Sequence, residues 1–163
     1  MFWKKGQTAT EYLIILAVVI IIALITVGVL GGLPSLSGST DARTSATYWS
    51  TADIGINSYA VSASTNATFV FKNNLRNSVT LNSVKVKTGN NADTTVLSTA
   101  SKLGTGKTVT ASYNLTAAAG GNGCATAGDS FAYVVTMNYT DSVTGATYTF
   151  NGDGNQLKGT CAN

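Results

Sequence analysis

Histidine is missing from this chain, and several other residue types are nearly missing, among them one Glu, one Pro and two Cys in 163 residues. Without His, the commonest general base and the commonest nitrogen ligand for a metal are gone. The single carboxylate of glutamate type, Glu11, precedes an apolar run, and the aspartates fall mostly in predicted turns. No nucleophile–base pair and no metal-ligand cluster can be assembled from neighbouring positions, so the chain does not read as an enzyme, and neither a metal nor a cofactor is implied. Charge is scarce as well, at 10% of residues with a net charge of +3. Without Lys4 and Lys5, eight basic side chains face seven acidic ones. That balance gives no footprint for nucleic acid, which needs clustered Lys and Arg. Cys124 and Cys161 form no CxxC pair. An even count in an exported chain suggests a disulfide, closing a loop of about 37 residues and contributing on the order of 4 kcal/mol in the chain-entropy account.

What the chain does have is an uncharged apolar run over residues 13–33, rich in Ile, Val and Leu. Its length matches the roughly 20 residues a helix needs to cross a bilayer. The run is too long for the h-region of an ordinary secretory signal. Lys4 and Lys5 would keep the N-terminus on the cytoplasmic side. Glu11 sits at the lip of the run, where plain anchoring requires no carboxylate and where ionisable groups are costly and usually functional.

Gly31-Gly32-Leu33-Pro34 interrupts the run and reads as a kink or hinge, since proline disfavours helix at the preceding residue and glycine is flexible. Beyond it the composition turns to Thr, Ser, Asn, Gly and Ala, with length enough for one domain. Residues 41–50 are expected to resume helix, capped by Ser39 or Thr40 and anchored by Tyr48-Trp49. From Ile54 the signals are β. Residues 65–72 put Ala67, Phe69 and Phe71 on one face. The apolar phase slips between Val79/Leu81 and Val84/Val86, which predicts a bulge near Asn82-Ser83. Residues 108–116 place Val109, Ala111, Tyr113 and Leu115 inward. Residues 131–140 do the same with Phe131, Tyr133, Val135, Met137 and Tyr139. Residues 147–150 return as a hairpin partner, and residues 156–161 supply a closing strand.

Two motifs tempt and are set aside. Gly104-Thr105-Gly106-Lys107-Thr108 lacks both the earlier glycine and the following helix that a phosphate loop requires. Asn151-Gly152-Asp153-Gly154-Asn155 offers alternate oxygens as calcium loops do, but an Asn-Gly/Asp-Gly hairpin turn explains it better. Three Asn-x-Thr triplets begin at Asn66, Asn114 and Asn138, and all three Asn fall on the outward phase of their predicted strands, where a glycan can be accommodated.

The set Lys4-Lys5-Gly6-Gln7-Thr8-Ala9-Thr10-Glu11-Tyr12 plus the apolar run resembles the class III signal peptide of archaeal type IV pilins and related filament subunits. Bacterial Flp-type pilins share the Gly…Glu-Tyr look but are mostly a bare helix, whereas this chain carries well over a hundred further residues. The resemblance implies cleavage of Gly6–Gln7 by a prepilin peptidase, and a role for Glu11 and Tyr12 in assembly. It also implies polymerisation with copies of itself by a pilus machinery, after a stage in the membrane. The heads of that family are β-sandwiches, and the junction Tyr48-Trp49…Ile54-Gly55-Ile56 looks similar. The expected fold is therefore α+β: a long N-terminal hydrophobic helix followed by one antiparallel β-sandwich of seven or eight strands. The expected layout is a leader (1–6), a hydrophobic transmembrane and filament-core helix (7–33), a hinge and connecting segment (34–53) and a head (54–163). The expected function is an extracellular, adhesive filament subunit at the cell surface. A motility filament subunit or a monomeric, singly anchored surface protein is the alternative.

Overall fold

The computed structural model describes residues 11–22, 34–63, 66–115 and 121–163. Residues 1–37 and residues 38–163 form separate compact units. In the first, residues 11–22 are helical (α1). Helix α2 (Pro34–Thr51), which lies in the second unit from Gly38 onward, leads among the described residues into nine strands: β1 (Ile54–Val61), β2 (Asn66–Asn73), β3 (Val79–Thr88), β4 (Thr94–Leu97), β5 (Ser101–Leu103), β6 (Thr108–Asn114), β7 (Ser130–Asp141), β8 (Thr147–Phe150) and β9 (Leu157–Thr160).

This corrects the expected α+β fold in two ways. Among the described residues no helix is long and apolar enough to cross a membrane; the helical stretch described in the apolar run, residues 11–22, falls short of the roughly 20 residues required, and residues 23–33 lie outside the described residues. Among the described residues the protein is instead mostly antiparallel sheet, with nine strands and not seven or eight. The uncounted strands are β4, which buries two consecutive residues instead of alternate ones, and β5, only three residues long.

The strands form two sheets. One has the order β1-β2-β6; in the other, β4-β3-β7-β8 is joined by β5 on β3 and β9 on β7. The second sheet is organised by its two long members. β4 and β5 pair with successive stretches of β3, and β8 and β9 pair with successive stretches of β7. The ladder between β3 and β7 shifts register between Leu81 and Ser83. That bulge keeps Val79, Leu81, Val84 and Val86 all buried despite the odd spacing. Inward rows of both sheets, Phe69 and Phe71 from β2 and Tyr133, Val135 and Met137 from β7 among them, meet in one core cluster.

Tyr113 departs from its expected inward place. It lies opposite buried Ala67, so its phase is as read, but β6 is an edge strand that covers it from one side only, and 43% of it is exposed. The Asn151–Asn155 segment is likewise no hairpin turn. It is a 3-10 turn at Gly152–Gly154 that carries the chain between two strands which both pair with β7.

Helix α2 starts at Pro34 and not at Asp41. Proline suits the first helical position, where its missing N–H has no partner to lose. The helix is rich in Ser and Thr, whose side chains compete for backbone bonds. Here the hydroxyls of Thr44, Thr47 and Thr51 turn back onto carbonyls three or four residues earlier. Such a helix is held by its docking more than by propensity. Trp49 is fully buried, edge-on to Tyr48 and Phe150, and the Tyr48 hydroxyl donates to the Gly152 carbonyl at 2.9 Å. At the C-terminal end, Asn74 Nδ2 donates to the carbonyls of Ser50 and Ala52, satisfying acceptors the helix leaves open.

Gly152 leaves this docking no room for a larger residue. Its φ is +74°, and a Cβ there would sit 2.5 Å from the Trp49 ring. Gly152→Ala is expected to cost about 2 kcal/mol or more, combining a left-handed backbone penalty with overpacking. A denaturant midpoint of the head within error of the parent's would contradict this seating of Trp49.

Candidate functional site

No group of three or more His, Cys, Asp or Glu side chains among the described residues could hold a metal ion. Gly104–Lys107 is a turn, with Gly106 at φ +72°, and strand β6 follows it. Without a helix N-terminus the loop has no phosphate-binding geometry. The features with functional consequences are a bare apolar helix, a covalently closed corner of the β unit, and the three sequon asparagines.

On α1, every residue from 11 to 22 is exposed. Among its large apolar side chains, exposure runs from 43% at Leu16 to 67% at Tyr12. Glu11 is the only charged residue of the stretch. A surface helix of a globular protein confines its apolar residues to one stripe; this one is apolar on all sides after its first residue. Covering each Leu, Ile or Val would gain about 1.5–3 kcal/mol before ordering costs. Glu11 and Tyr12, the expected assembly residues, thus stand side by side at the start of the described helix. Gly6 and Gln7, the expected cleavage pair, lie outside the described residues.

The closed corner is built around Cys124–Cys161, joined as a disulfide with Cα atoms 5.9 Å apart. Backbone bonds flank it on both sides: Cys161 N–H donates to Asp129 O, and Gly128 N–H to Cys161 O. One residue further, Ala162 pairs in parallel with Ser62 beyond the end of β1, receives a bond from Ala63 N–H and donates to Val61 O. Residues 157–162 therefore pair with the six-stranded sheet through β9 and with the three-stranded sheet's β1 through Ala162. The tail is the clasp between the sheets.

Beside the bridge lies a polar knot that sequence reasoning missed. Asn122 is buried. Its side-chain oxygen accepts from the Thr88 N–H at 2.7 Å and the Thr88 hydroxyl at 2.9 Å. Its Nδ2 donates to Ala92 O, Thr94 Oγ1 and Val86 O, and its carbonyl accepts from the Tyr133 hydroxyl at 2.6 Å. One residue, by its side chain and its backbone carbonyl, thereby ties β3, β4 and β7 to the cysteine loop. The only hint in the sequence was an Asn-Gly two residues before Cys124.

The three sequon asparagines do not share one environment. Asn66 and Asn114 are exposed, at the start of β2 and the end of β6. Asn138 is half-buried in β7; its Nδ2 donates to Ser83 Oγ at 3.2 Å and its Oδ1 accepts from Thr149 Oγ1 at 2.7 Å.

Reducing Cys124–Cys161 is expected to lower the melting temperature of the head by several degrees or more, since about 4 kcal/mol of loop-closure stabilisation is at stake. Two free thiols by mass, or a melting temperature indifferent to reductant, would contradict the clasp. Alkaline pH should act on the knot. Burial pushes the Tyr133 hydroxyl up to about 12 from an ordinary 10.0, so the folded state keeps a proton that the unfolded chain releases first. The contribution is complete below pH 10 and is lost as pH rises towards 12. Phenolate absorbance should show Tyr133 as a late-titrating tyrosine, and Tyr133→Phe should flatten that part of the stability curve. Compared with known proteins, the chain matches no protein-family model, and no curated protein matches it.

Proposed function

We propose that the chain is a structural subunit of an extracellular filament resembling an archaeal type IV pilus, polymerising through its apolar N-terminal segment, with adhesion as the task. The observation that carries this reading is α1: a stretch apolar around its whole circumference, headed by one carboxylate, on a chain whose other unit is a disulfide-closed β-sandwich. Such a stretch must be covered on all sides. Lipid covers it before assembly, and copies of the same segment cover it afterwards. Small residues such as Ala17 allow close helix approach. Cleavage after Gly6 by a prepilin peptidase would leave Gln7 first and put a new α-amino group four residues from Glu11. Pairing of that amine with Glu11, within one subunit or between neighbours, counts for more in an apolar bundle than in water. The hydroxyl- and amide-rich outer rows of the β-sheets then form the filament's surface. A motility filament would use the same parts, and the scarcity of charge gives nucleic acid no place among the partners.

Electron microscopy of material sheared from cells, with N-terminal sequencing of the subunit, tests the reading directly. Filaments whose subunit starts at Gln7 are expected. Glu11→Ala should still be processed but should yield at most about a tenth of the filament mass, and Ile21→Lys none, while the β unit of both variants stays folded by near-UV circular dichroism. Full filament yield from Glu11→Ala, or a monomeric surface protein without filaments, would overturn it.

A further inference from the structure

Asn66 and Asn114, separated by 48 positions in the sequence, are direct cross-strand partners in the β2–β6 ladder. Partners in an antiparallel pair point to the same face, with Cβ atoms about 4.5–5.5 Å apart. That face is the outer one: along β2 the alternate residues Ala67, Phe69 and Phe71 are buried, while Asn66 is exposed. Next along the ladder, the hydroxyl that completes the first triplet, Thr68 Oγ1, lies 3.2 Å from Ser112 Oγ. Asn138 sits differently. Its strand is paired on both sides at that residue, to Ser83 of β3 and to Thr149 of β8, and both ends of its amide are hydrogen-bonded across those ladders.

We propose that Asn66 and Asn114 together form one acceptor site for a single N-linked oligosaccharide, filled at Asn66, and that Asn138 is not an acceptor. The proposal rests on the export that the filament reading requires. In the transfer, Asn66 Nδ2 bonds to the anomeric carbon of a lipid-phosphate-linked oligosaccharide. The bond from that carbon to the phosphate oxygen breaks, and the lipid phosphate leaves with its electron pair. One amide proton passes to a base of the transferase. Transfer takes place on the folded β unit, where Asn66 and the hydroxyl of its own triplet, Thr68, share the same outer face. Once Asn66 carries a sugar, the first rings occupy the space directly over Asn114. A glycan on Asn138 would have to displace the Ser83 and Thr149 bonds from the middle of the larger sheet, whereas one on Asn66 adds to an open face without disturbing the inward row.

Intact-mass measurement and glycopeptide mapping of the full chain from its native cells test this, with N66Q, N114Q, N138Q and N66Q/N114Q variants. The parent, N114Q and N138Q should each carry one oligosaccharide on Asn66. N66Q should carry one on Asn114, and the double variant should have the bare polypeptide mass. Two oligosaccharides on one chain, any on Asn138, loss of the glycan in N66Q, or a bare parent would each overturn the proposal. Labelling intact cells with a membrane-impermeant amine reagent reports on export separately. A bare but surface-labelled chain sinks the glycan site alone, and an unlabelled one takes the filament reading with it.

Discussion

The ladder between β3 and β7 is the constraint on which the rest of the β unit depends. These are the two longest strands, and every other strand of the larger sheet is attached to one of them. Because side chains alternate with a period of two, a ladder without the shift between Leu81 and Ser83 would turn Val84 and Val86 away from the core. With it, four aliphatic side chains of β3 reach the same interior as Tyr133, Val135 and Met137. The bulge is thus the device by which an irregular sequence keeps a continuous core.

Around that ladder the structure is closed by single, well-satisfied connections. Asn122 ties β3, β4 and β7 to the cysteine loop; the disulfide ties that loop to the tail; Ala162 ties the tail to β1. The hydrogen bonds at Asn122 matter because a buried amide costs free energy unless its donors and acceptor are met. At the other end, Trp49 closes the core under Gly152. Its indole nitrogen is buried without a hydrogen-bond partner, a cost set against the large apolar area the ring removes from water.

The inward rows of β2 and β7, the bulge in β3, the hairpin from β7 to β8 and the pairing of the two cysteines were all legible from alternation and count. What escaped has identifiable physical reasons. β4 buries two consecutive residues and β5 has only three, so neither alternates. Pro34 reads as a break by its own steric rule but serves equally as a first helical residue, and only docking of Trp49 shows that the helix is worth forming. Tyr113 has the correct phase and the wrong depth, because phase does not say whether an edge strand is roofed. The outward phase of Asn138 was likewise readable, while its engagement on both sides depends on which strands become its neighbours. Glu11 stood out by its type and its place at the lip of the apolar run, whereas only an Asn-Gly two residues before Cys124 hinted at Asn122.

The pairing pattern also has a kinetic meaning. Val79 pairs with Asp141, Asn66 with Asn114, and Ser62 with Ala162: the contacts that make the sheets come from distant parts of the chain. Topologies of that kind fold slowly, on the scale of milliseconds to seconds, because loop closure precedes the contacts that reward it. During that interval strand edges stand open and invite pairing between molecules. The rows of Thr, Ser and Asn that face outward from β2, β6 and β7 keep this waiting chain hydrated, so the same polar surface that clothes the finished domain protects it while it is still incomplete.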